Sequence, residues 1–184
     1  TLCSVVSEGQ EPRQMTAKLA MVTGASSGIG EAFARELSAR GFALILVARR
    51  RDRLEDLRAQ LVPARVDTLI ADLATDEGVV AVSRRLELGG VKLLVNNAGL
   101  GYRGPIASQA DSNIVRLVRV NLEAPMRLSR AALGPMISAR SGDIINVVSM
   151  SAFQPVPYLS VYAAAKAGLL SFTEALADEV SGTG

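Results

Sequence analysis

The most constraining feature of the sequence is a regular alternation of short apolar runs with amphipathic stretches of helical length. The apolar runs predict five strands, at 19–22, 43–48, 66–71, 93–96 and 143–148. The other stretches predict helices at 29–40, 52–61, up to about 88, at about 111–138 and at 158–180. Such alternation is typical of a parallel sheet covered on both faces, so the predicted fold class is a doubly wound α/β fold with three α/β/α layers.

Glycine and proline mark several of the predicted helix ends. Gly41 follows the first helix at a position that favours glycine, and Gly89-Gly90 follow the third. Pro63 is expected to end the second helix, and Pro125 to bend the long helical region because its ring removes one backbone hydrogen bond. A doubly wound dinucleotide-binding (Rossmann-like) sheet has six strands, so this pattern leaves the second half one strand short.

Length and composition limit the domain organisation. With 184 residues, 49% of them hydrophobic, the chain is expected to form one domain over 15–184. Residues 1–14 carry no periodic pattern and are expected to be a disordered leader, with Met15 as a candidate start. The apolar stretch at 42–48 is far short of the roughly 20 residues that a membrane span needs, so neither a transmembrane helix nor a membrane partner is predicted.

Residue types that are rare or missing exclude several classes of function. The sequence has no histidine, which removes Ser-His-Asp and Cys-His hydrolases and His-ligated metal sites. A single cysteine, Cys3, excludes an intrachain disulfide and fits a reducing, cytoplasmic compartment. The net charge is only +2, and no series of aromatic residues accompanies the basic ones, so nucleic acid is not an expected partner. The basic run at 49–53 is the single feature that favours a nucleic-acid partner.

The turn between the first strand and the first helix is rich in glycine and reads Thr23-Gly24-Ala25-Ser26-Ser27-Gly28-Ile29-Gly30. Glycines there allow a tight turn and a close approach of the backbone to a ligand. The free N–H groups and the positive end of the following helix suit a pyrophosphate. The spacing G-x-x-x-G-x-G differs from the general G-x-G-x-x-G fingerprint, and an ordinary glycine-containing turn is the alternative.

The end of the second strand indicates which dinucleotide is bound. An acidic residue there would bond the 2′-hydroxyl of NAD, whereas an arginine accommodates the 2′-phosphate of NADP. The sequence has Arg49-Arg50-Arg51 at this point, followed by Asp52. Arg49 is the candidate phosphate ligand, so NADP(H) is favoured over NAD(H). Arg50 and Arg51 are interpreted as the solvated, cationic start of a helix, which is also the alternative for Arg49.

Tyr162 and Lys166 are candidates for acid–base chemistry. Their i, i+4 spacing on the last predicted helix places both side chains on one side of it. A nearby ammonium favours a phenolate over a phenol, which suits proton transfer near neutral pH. Because the motif is so short, a chance pairing is the alternative.

Two further candidates follow predicted strands. Ser149 comes after the fifth strand and Asn96-Asn97-Ala98-Gly99 after the fourth, so both lie at the sheet edge where the glycine-rich turn lies. A serine at the end of a strand is commonly a turn or cap residue, and this is the alternative for Ser149.

Taken together, these residues resemble the short-chain dehydrogenase/reductase family. They occur in the family's order and spacing from about Leu19 to the end of the chain, and the set is far more specific than Tyr-x-x-x-Lys alone. The matching pieces are Thr23–Gly30, Asp72-Leu73, Asn96–Gly99, Asn121, Ser149 and Tyr162-Ala163-Ala164-Ala165-Lys166.

The resemblance implies a catalytic tetrad of Asn121, Ser149, Tyr162 and Lys166. By this analogy Tyr162 is the general acid/base of an NADP-dependent oxidoreductase that transfers a hydride between the cofactor and a secondary alcohol or ketone. Ser149 would hold the substrate oxygen. Lys166 would bond the nicotinamide ribose and assist Tyr162, and Asn121 would hold a water that feeds protons to the lysine.

The resemblance also implies a set of cofactor contacts. Asp72 would contact the adenine amino group with Leu73 packed beside it, and Asn97 would be structural rather than a direct contact. An arginine at position 49 resembles the pattern of the family's NADP-preferring branch. The full predicted set is Gly24, Ser26, Ser27, Gly28, Ile29, Gly30, Arg49, Asp72, Leu73, Asn97, Ala98, Gly99, Tyr162 and Lys166.

The chain departs from the family pattern at its C-terminus. Family members usually continue with another strand, a Pro-Gly loop, a substrate lid and a final strand, so the chain is expected to be C-terminally truncated and poorly active by itself. Pairing through 111–138 and 158–180 into a homodimer or homotetramer is a further implication. The alternative function is a nucleotide-binding but catalytically inactive protein, either a fragment or a regulatory homologue.

Overall fold

The computed structural model of the protein describes residues 17–61 and 65–183. The predicted leader, Met15 and Pro63 lie outside the described residues. The strands are β1 (Leu19–Thr23), β2 (Ala43–Ala48), β3 (Val66–Ile70), β4 (Val91–Asn96) and β5 (Asp143–Asn146). The helices are α1 (Gly28–Ala39), α2 (Arg51–Gln60), α3 (Asp76–Glu87), α4 (Asp111–Val118), α5 (Ala124–Ser138) and α6 (Ser160–Glu179).

All strand pairs are parallel, and the strand order is β3-β2-β1-β4-β5. The predicted doubly wound α/β fold is therefore confirmed. After β3 the chain crosses over β1 to place β4 on its other side, so the order reverses between β1 and β4. In open parallel sheets this reversal opens a crevice at the carboxyl ends of the strands, where ligands bind.

The sheet is buried on both faces. Met21 and Ile45 face a core shared with α3 and α5, whereas Val22 and Leu44 face a second core shared with α1 and α2. This alternation follows from the two-residue period of a strand, and it explains why β2 is apolar at all six positions. Among residues 17–61 and 65–183, no helix is both long and apolar enough to cross a membrane.

The end of α1 confirms the prediction at Gly41. Gly41 has φ +80°, and its N–H donates to Ser38 O at 2.9 Å. The N–H of Phe42 donates to Leu37 O at 3.0 Å, which completes the hydrogen-bond pattern of a Schellman motif. The third helix likewise ends before Gly89 and Gly90, both of which have positive φ.

The long helical region differs from the prediction of one helix bent at Pro125. A π-helical turn, Arg119–Glu123, separates α4 from α5, and the Ala124 N–H donates to Arg119 O five residues back. Pro125 is at the start of α5, where its missing N–H is tolerated. Pro135 lies inside α5 without ending it.

Two predicted elements around Ser149 are shorter in the structure. β5 ends at Asn146 instead of 148, because the chain turns into a short 3₁₀ helix, Met150–Ala152. The last helix begins at Ser160 instead of 158, because Tyr158 has φ +66°, a left-handed conformation that an α-helix does not contain.

Candidate active site

A cavity of about 660 Å³ lies at the carboxyl ends of the strands, where the strand order reverses. This volume is within the usual range for a small-molecule or cofactor site. Most of the predicted cofactor residues line it: Gly24, Ser26, Ser27, Ile29, Arg49, Asp72, Leu73, Asn97, Ala98, Gly99, Tyr162 and Lys166. Gly28 and Gly30 are absent from the described lining of the cavity.

The turn between β1 and α1 needs glycine at two positions. Gly24 has φ +66°, and a Cβ there would lie 2.8 Å from Ala98 Cα. A Cβ at Gly30 would lie 2.3 Å from Gly24 O and 2.4 Å from Asn97 Nδ2. Both glycines are therefore required by close backbone approach, and the turn is packed directly against the segment that follows β4.

Asn97 and Thr23 tie the ends of β1 and β4 together. The Asn97 side-chain amide donates to Thr23 O at 2.9 Å. The Thr23 hydroxyl accepts hydrogen bonds from the backbone N–H groups of Asn97 and Ala98, both at 3.0 Å. Thr23 is not among the site residues predicted from the sequence, although a small hydroxyl residue at the end of a buried strand, next to Gly24, is a recognisable pattern.

Arg50 has a contact that the sequence interpretation does not include. It is exposed and directly precedes α2, as expected of a solvated helix start, and it also lines the cavity. Its Nη2 lies 3.1 Å from both Ser26 Oγ and Ser27 Oγ. Nη2 also donates to Ser26 O at 3.3 Å. The spacing of the three arginines could not show this, because it depends on α2 starting at Arg51 and aiming the preceding side chain back over the glycine turn.

Asp72 is shared between two guanidinium groups. Its Oδ2 accepts a hydrogen bond from Arg116 at 2.9 Å, and it lies 3.9 Å from Arg49 Nη1. Its Oδ1 accepts from the Ala74 N–H at 3.0 Å, which fixes the carboxylate at the cavity wall. Arg116, on α4, was not predicted, since no local motif connects it with Asp72.

Tyr162 and Lys166 lie on one side of α6 and line the cavity, as their spacing predicts. Lys166 Nζ is 5.9 Å from the centre of the Tyr162 ring. It is 4% exposed and donates to Val147 O at 2.7 Å. Burial penalises the ammonium and lowers the pKa of Lys166 from 10.5 to about 8.

This burial predicts a pH-dependent stability. Because the folded state releases the Lys166 proton at a lower pH than the unfolded state does, the penalty is fully present below pH 8 and is relieved as pH rises from about 8 to 10.5. The difference in unfolding free energy between the parent and Lys166→Met should therefore change by on the order of 1–3 kcal/mol in favour of the parent between pH 7 and pH 10. Urea denaturation at both pH values measures this gain. Lys18→Met, at an exposed position, should show no such relative change, and equal pH profiles for Lys166→Met and the parent would contradict the prediction.

Asn121 sits in the π-helical turn and is fully buried. Its side-chain amide donates to Leu100 O at 2.7 Å and to Leu117 O at 3.0 Å, while its Oδ1 has no partner among the described residues. A Cβ at Gly99 would lie 2.9 Å from this Oδ1 and 3.9 Å from Lys166 Nζ. The structure thus brings Asn121 close to Lys166, with Gly99 leaving the room between them.

Ser149 is the predicted residue that does not join this group. Its Oγ accepts a hydrogen bond from the Ser151 N–H at 3.2 Å, which caps the 3₁₀ helix, and Ser149 is absent from the described lining of the cavity. The geometry is that of the cap residue considered as the alternative.

A buried amide network fixes α6 against the sheet. Asn96 Nδ2 donates to Asn146 Oδ1 at 2.9 Å, and Asn146 Nδ2 donates to Thr173 Oγ1 at 3.0 Å. Buried polar groups joined in this way specify one packing arrangement. The network holds the helix that carries Tyr162 in register with β4 and β5.

Comparison with known proteins identifies related sequences along nearly the whole described chain. The family model described as short chain dehydrogenase matches residues 18–184. Nodulation protein G of Rhizobium sp. (strain N33) is 39% identical over 170 residues, which are 91% of this chain and 69% of that protein. A short chain dehydrogenase of Pseudocercospora fijiensis is 36% identical, with 93% of this chain and 57% of that protein covered.

Solved structures with the same fold include a ketone-specific alcohol dehydrogenase and a short-chain dehydrogenase in complex with NADPH. The bulky-bulky ketone specific alcohol dehydrogenase from Comamonas testosteroni superposes with a TM-score of 0.88 at 34% identity, covering 91% of this chain and 68% of that one. A short-chain dehydrogenase from Sphingobium yanoikuyae in complex with NADPH gives 0.87 at 36% identity, covering 90% and 66%. The chain thus spans between 57% and 69% of the length of these relatives.

Proposed function

The chain belongs to the short-chain dehydrogenase/reductase family, and we propose that it is an NADP(H)-dependent oxidoreductase that interconverts a secondary alcohol and a ketone. The observation that carries this proposal is that Tyr162 and Lys166 face the same cavity as the glycine-rich turn. A cofactor held at that turn and a proton donor on α6 would then meet over one substrate carbonyl.

The cavity fits a dinucleotide phosphate. Neighbouring atoms leave no space for a side chain at Gly24 or Gly30. With glycine at both positions, the backbone can approach a pyrophosphate at the start of α1. Arg49 and Arg50 both line the adenosine side of the cavity and present planar guanidinium groups that bond phosphate oxygens well. The engagement of Asp72 by Arg116 leaves Arg49, at 3.9 Å from that carboxylate, able to turn to a phosphate.

When bound, the nicotinamide supplies or accepts a hydride at the carbonyl carbon. In the reductive direction Tyr162 donates its phenolic proton to the carbonyl oxygen, so the ketone becomes a secondary alcohol. Lys166, beside the ring and anchored to Val147 O, would hold the nicotinamide ribose, and in its charged form it favours the phenolate that remains on Tyr162. Asn121 Oδ1, buried and without a hydrogen-bond partner in the described part of the chain, suits a water that returns protons to Lys166.

The cofactor preference is tested by dissociation constants for NADPH and NADH. We expect the protein to bind NADPH more tightly, and Arg49→Ala and Arg50→Ala each to weaken NADPH by about 10- to 100-fold, because each removes charge-assisted hydrogen bonds to the 2′-phosphate. NADH, which lacks that phosphate, should change by less than about threefold. Arg51→Ala is the matched control, since Arg51 is exposed and outside the described lining of the cavity. Equal affinities for both cofactors in the parent would refute the preference.

Association through α4, α5 and α6 remains a prediction of the family resemblance. Val115 on α4 is 51% exposed, and Met126 and Ile137 on α5 are 39% and 42% exposed. Exposed apolar side chains on these helices suit a contact with a second copy of the chain.

A further inference from the structure

The two segments that flank Tyr162 contain one charged residue between them. Segment 99–110 follows β4, and segment 147–159 joins β5 to α6. Arg103 is the one ionic side chain in either segment. Both segments otherwise contribute apolar residues to the cavity wall, such as Leu100, Val148 and Leu159. Apart from Lys166 on α6, these two segments thus give the wall near Tyr162 apolar residues and one cation, Arg103.

Arg103 is carried by a backbone segment that is fixed at both ends. The Leu100 carbonyl accepts a hydrogen bond from Asn121 at 2.7 Å. On the other side of Arg103, the Gly104 N–H donates to Tyr158 O at 2.9 Å, and Gly104 O accepts from Gln109 at 3.2 Å. These bonds link the segment to the π-helical turn and to the residues preceding α6, so the backbone of Arg103 is held in place.

The same segment touches the proposed proton donor. A Cβ at Gly101 would lie 3.6 Å from Tyr162 Cδ2, so the backbone two residues before Arg103 packs against the Tyr162 ring. Arg103 lines the cavity on this side, away from the adenosine end, where Arg49 and Arg50 lie.

Arg103, which is exposed, is the cavity-lining cation among the described residues to which the proposed cofactor site assigns no contact. Four cationic residues and one acidic residue line the cavity: Arg49, Arg50, Arg103, Lys166 and Asp72. Arg49 and Arg50 suit the phosphates, Lys166 is anchored to Val147 O beside Tyr162, and Asp72 is occupied by Arg116. In the described residues Arg103 makes no ion pair within 4.0 Å.

We propose that Arg103 binds an anionic group of the substrate, so that the substrate class is a ketone or secondary alcohol with an apolar body and a carboxylate or phosphate group. A guanidinium bonds either anion with two parallel hydrogen bonds, and the apolar wall receives the rest of the molecule. This inference rests on the proposed function for the position of the reacting carbonyl at Tyr162.

Binding to the NADP⁺-loaded protein tests the inference without requiring turnover. The probes are 4-acetylbenzoate, its neutral methyl ester and the cationic 4-acetyl-N,N,N-trimethylanilinium, which share one ring and one ketone. Calorimetric titration should give a dissociation constant for the carboxylate at least about tenfold lower than for the ester, with the cation weakest. Inorganic phosphate should compete with the carboxylate if the recognised group is any oxyanion.

Variants assign this preference to Arg103. In Arg103→Gln the carboxylate and the ester should bind equally, and Arg103→Lys should keep part of the preference. NADP⁺ affinity should be unchanged in both, and Arg130→Gln, which removes an exposed cation on α5, should behave as the parent. Equal binding of acid and ester by the parent, or loss of NADP⁺ binding in Arg103→Gln, overturns the inference.

Turnover of the same probes separates this inference from the proposed function. Turnover is measured in a form that covers the full length of the relatives, because the chain by itself is expected to be poorly active. In that form, a carboxylate preference without NADPH oxidation supports the anion site and contradicts the oxidoreductase proposal. Ketone reduction with no preference among the three probes supports the oxidoreductase and overturns the anion site.

Discussion

Replacing Tyr162 with phenylalanine, in a form that covers the full length of the relatives, is expected to lower kcat for ketone reduction by about 10²- to 10⁴-fold. The substitution keeps the ring that packs against Gly101 and removes the hydroxyl that would protonate the carbonyl oxygen. Since the adenosine and phosphate contacts lie at the other end of the cavity, the dissociation constant for NADPH should stay within about threefold of the parent. Stopped-flow kinetics and fluorescence titration with NADPH measure the two quantities.

Tyr158→Phe is the matched control for this substitution. Tyr158 lies four residues before Tyr162, is 57% exposed and interacts with Gly104 through its backbone carbonyl, which the substitution keeps. Its kcat should remain within a few-fold of the parent. Tyr162→Phe activity near the parent level would exclude Tyr162 as the proton donor.

Gly30→Ala is expected to have the second large effect, on both folding and cofactor binding. The new methyl group would lie 2.3 Å from Gly24 O and 2.4 Å from Asn97 Nδ2, so the glycine-rich turn or α1 must shift. Overpacking of this kind costs about 1–3 kcal/mol of unfolding free energy. NADPH affinity should fall by at least about tenfold, because the shift moves the backbone N–H groups that face the pyrophosphate.

Gly134→Ala provides a comparison in which the same methyl group has room. Gly134 is in α5, has no heavy atom within 4 Å of its added Cβ, and should gain roughly 0.5–1 kcal/mol from the better helix propensity of alanine. Thermal unfolding should therefore show that Gly30→Ala is less stable than the parent and Gly134→Ala more stable. NADPH titration should show a loss of affinity for Gly30→Ala alone. Gly30→Ala with parental stability and affinity would show that the turn is not the rigid cradle described above.

The fold was predictable because its strands are buried on both faces. A strand such as β2 must then be apolar at every position, and such runs stand out between helices with one polar face. The errors are local and have local causes. Tyr158 adopts a left-handed conformation that nothing in its neighbours requires, and the π-helical turn before Pro125 depends on contacts of Asn121 with residues outside the helix.

The site was predictable where chain spacing sets the geometry, and it was missed where tertiary contacts do. The i, i+4 spacing places Tyr162 and Lys166 together, and the glycines mark the turn after β1. The contact of Arg50 with Ser26 and that of Arg116 with Asp72 join residues 24 and 44 positions apart, and no periodicity reports such pairs.

The extra residue in the π-helical turn changes which face of the helical region points inward, so α4 and α5 present different faces to the rest of the protein. A helix that gains one residue resumes about 100° out of phase, so the inward stripe of α4 is not continued by α5. α4 accordingly packs against α6, which carries Tyr162, whereas α5 packs against α3 and β4 in the structural core. The phase change therefore lets one continuous stretch of chain support the helix that carries Tyr162 at one end and the sheet core at the other.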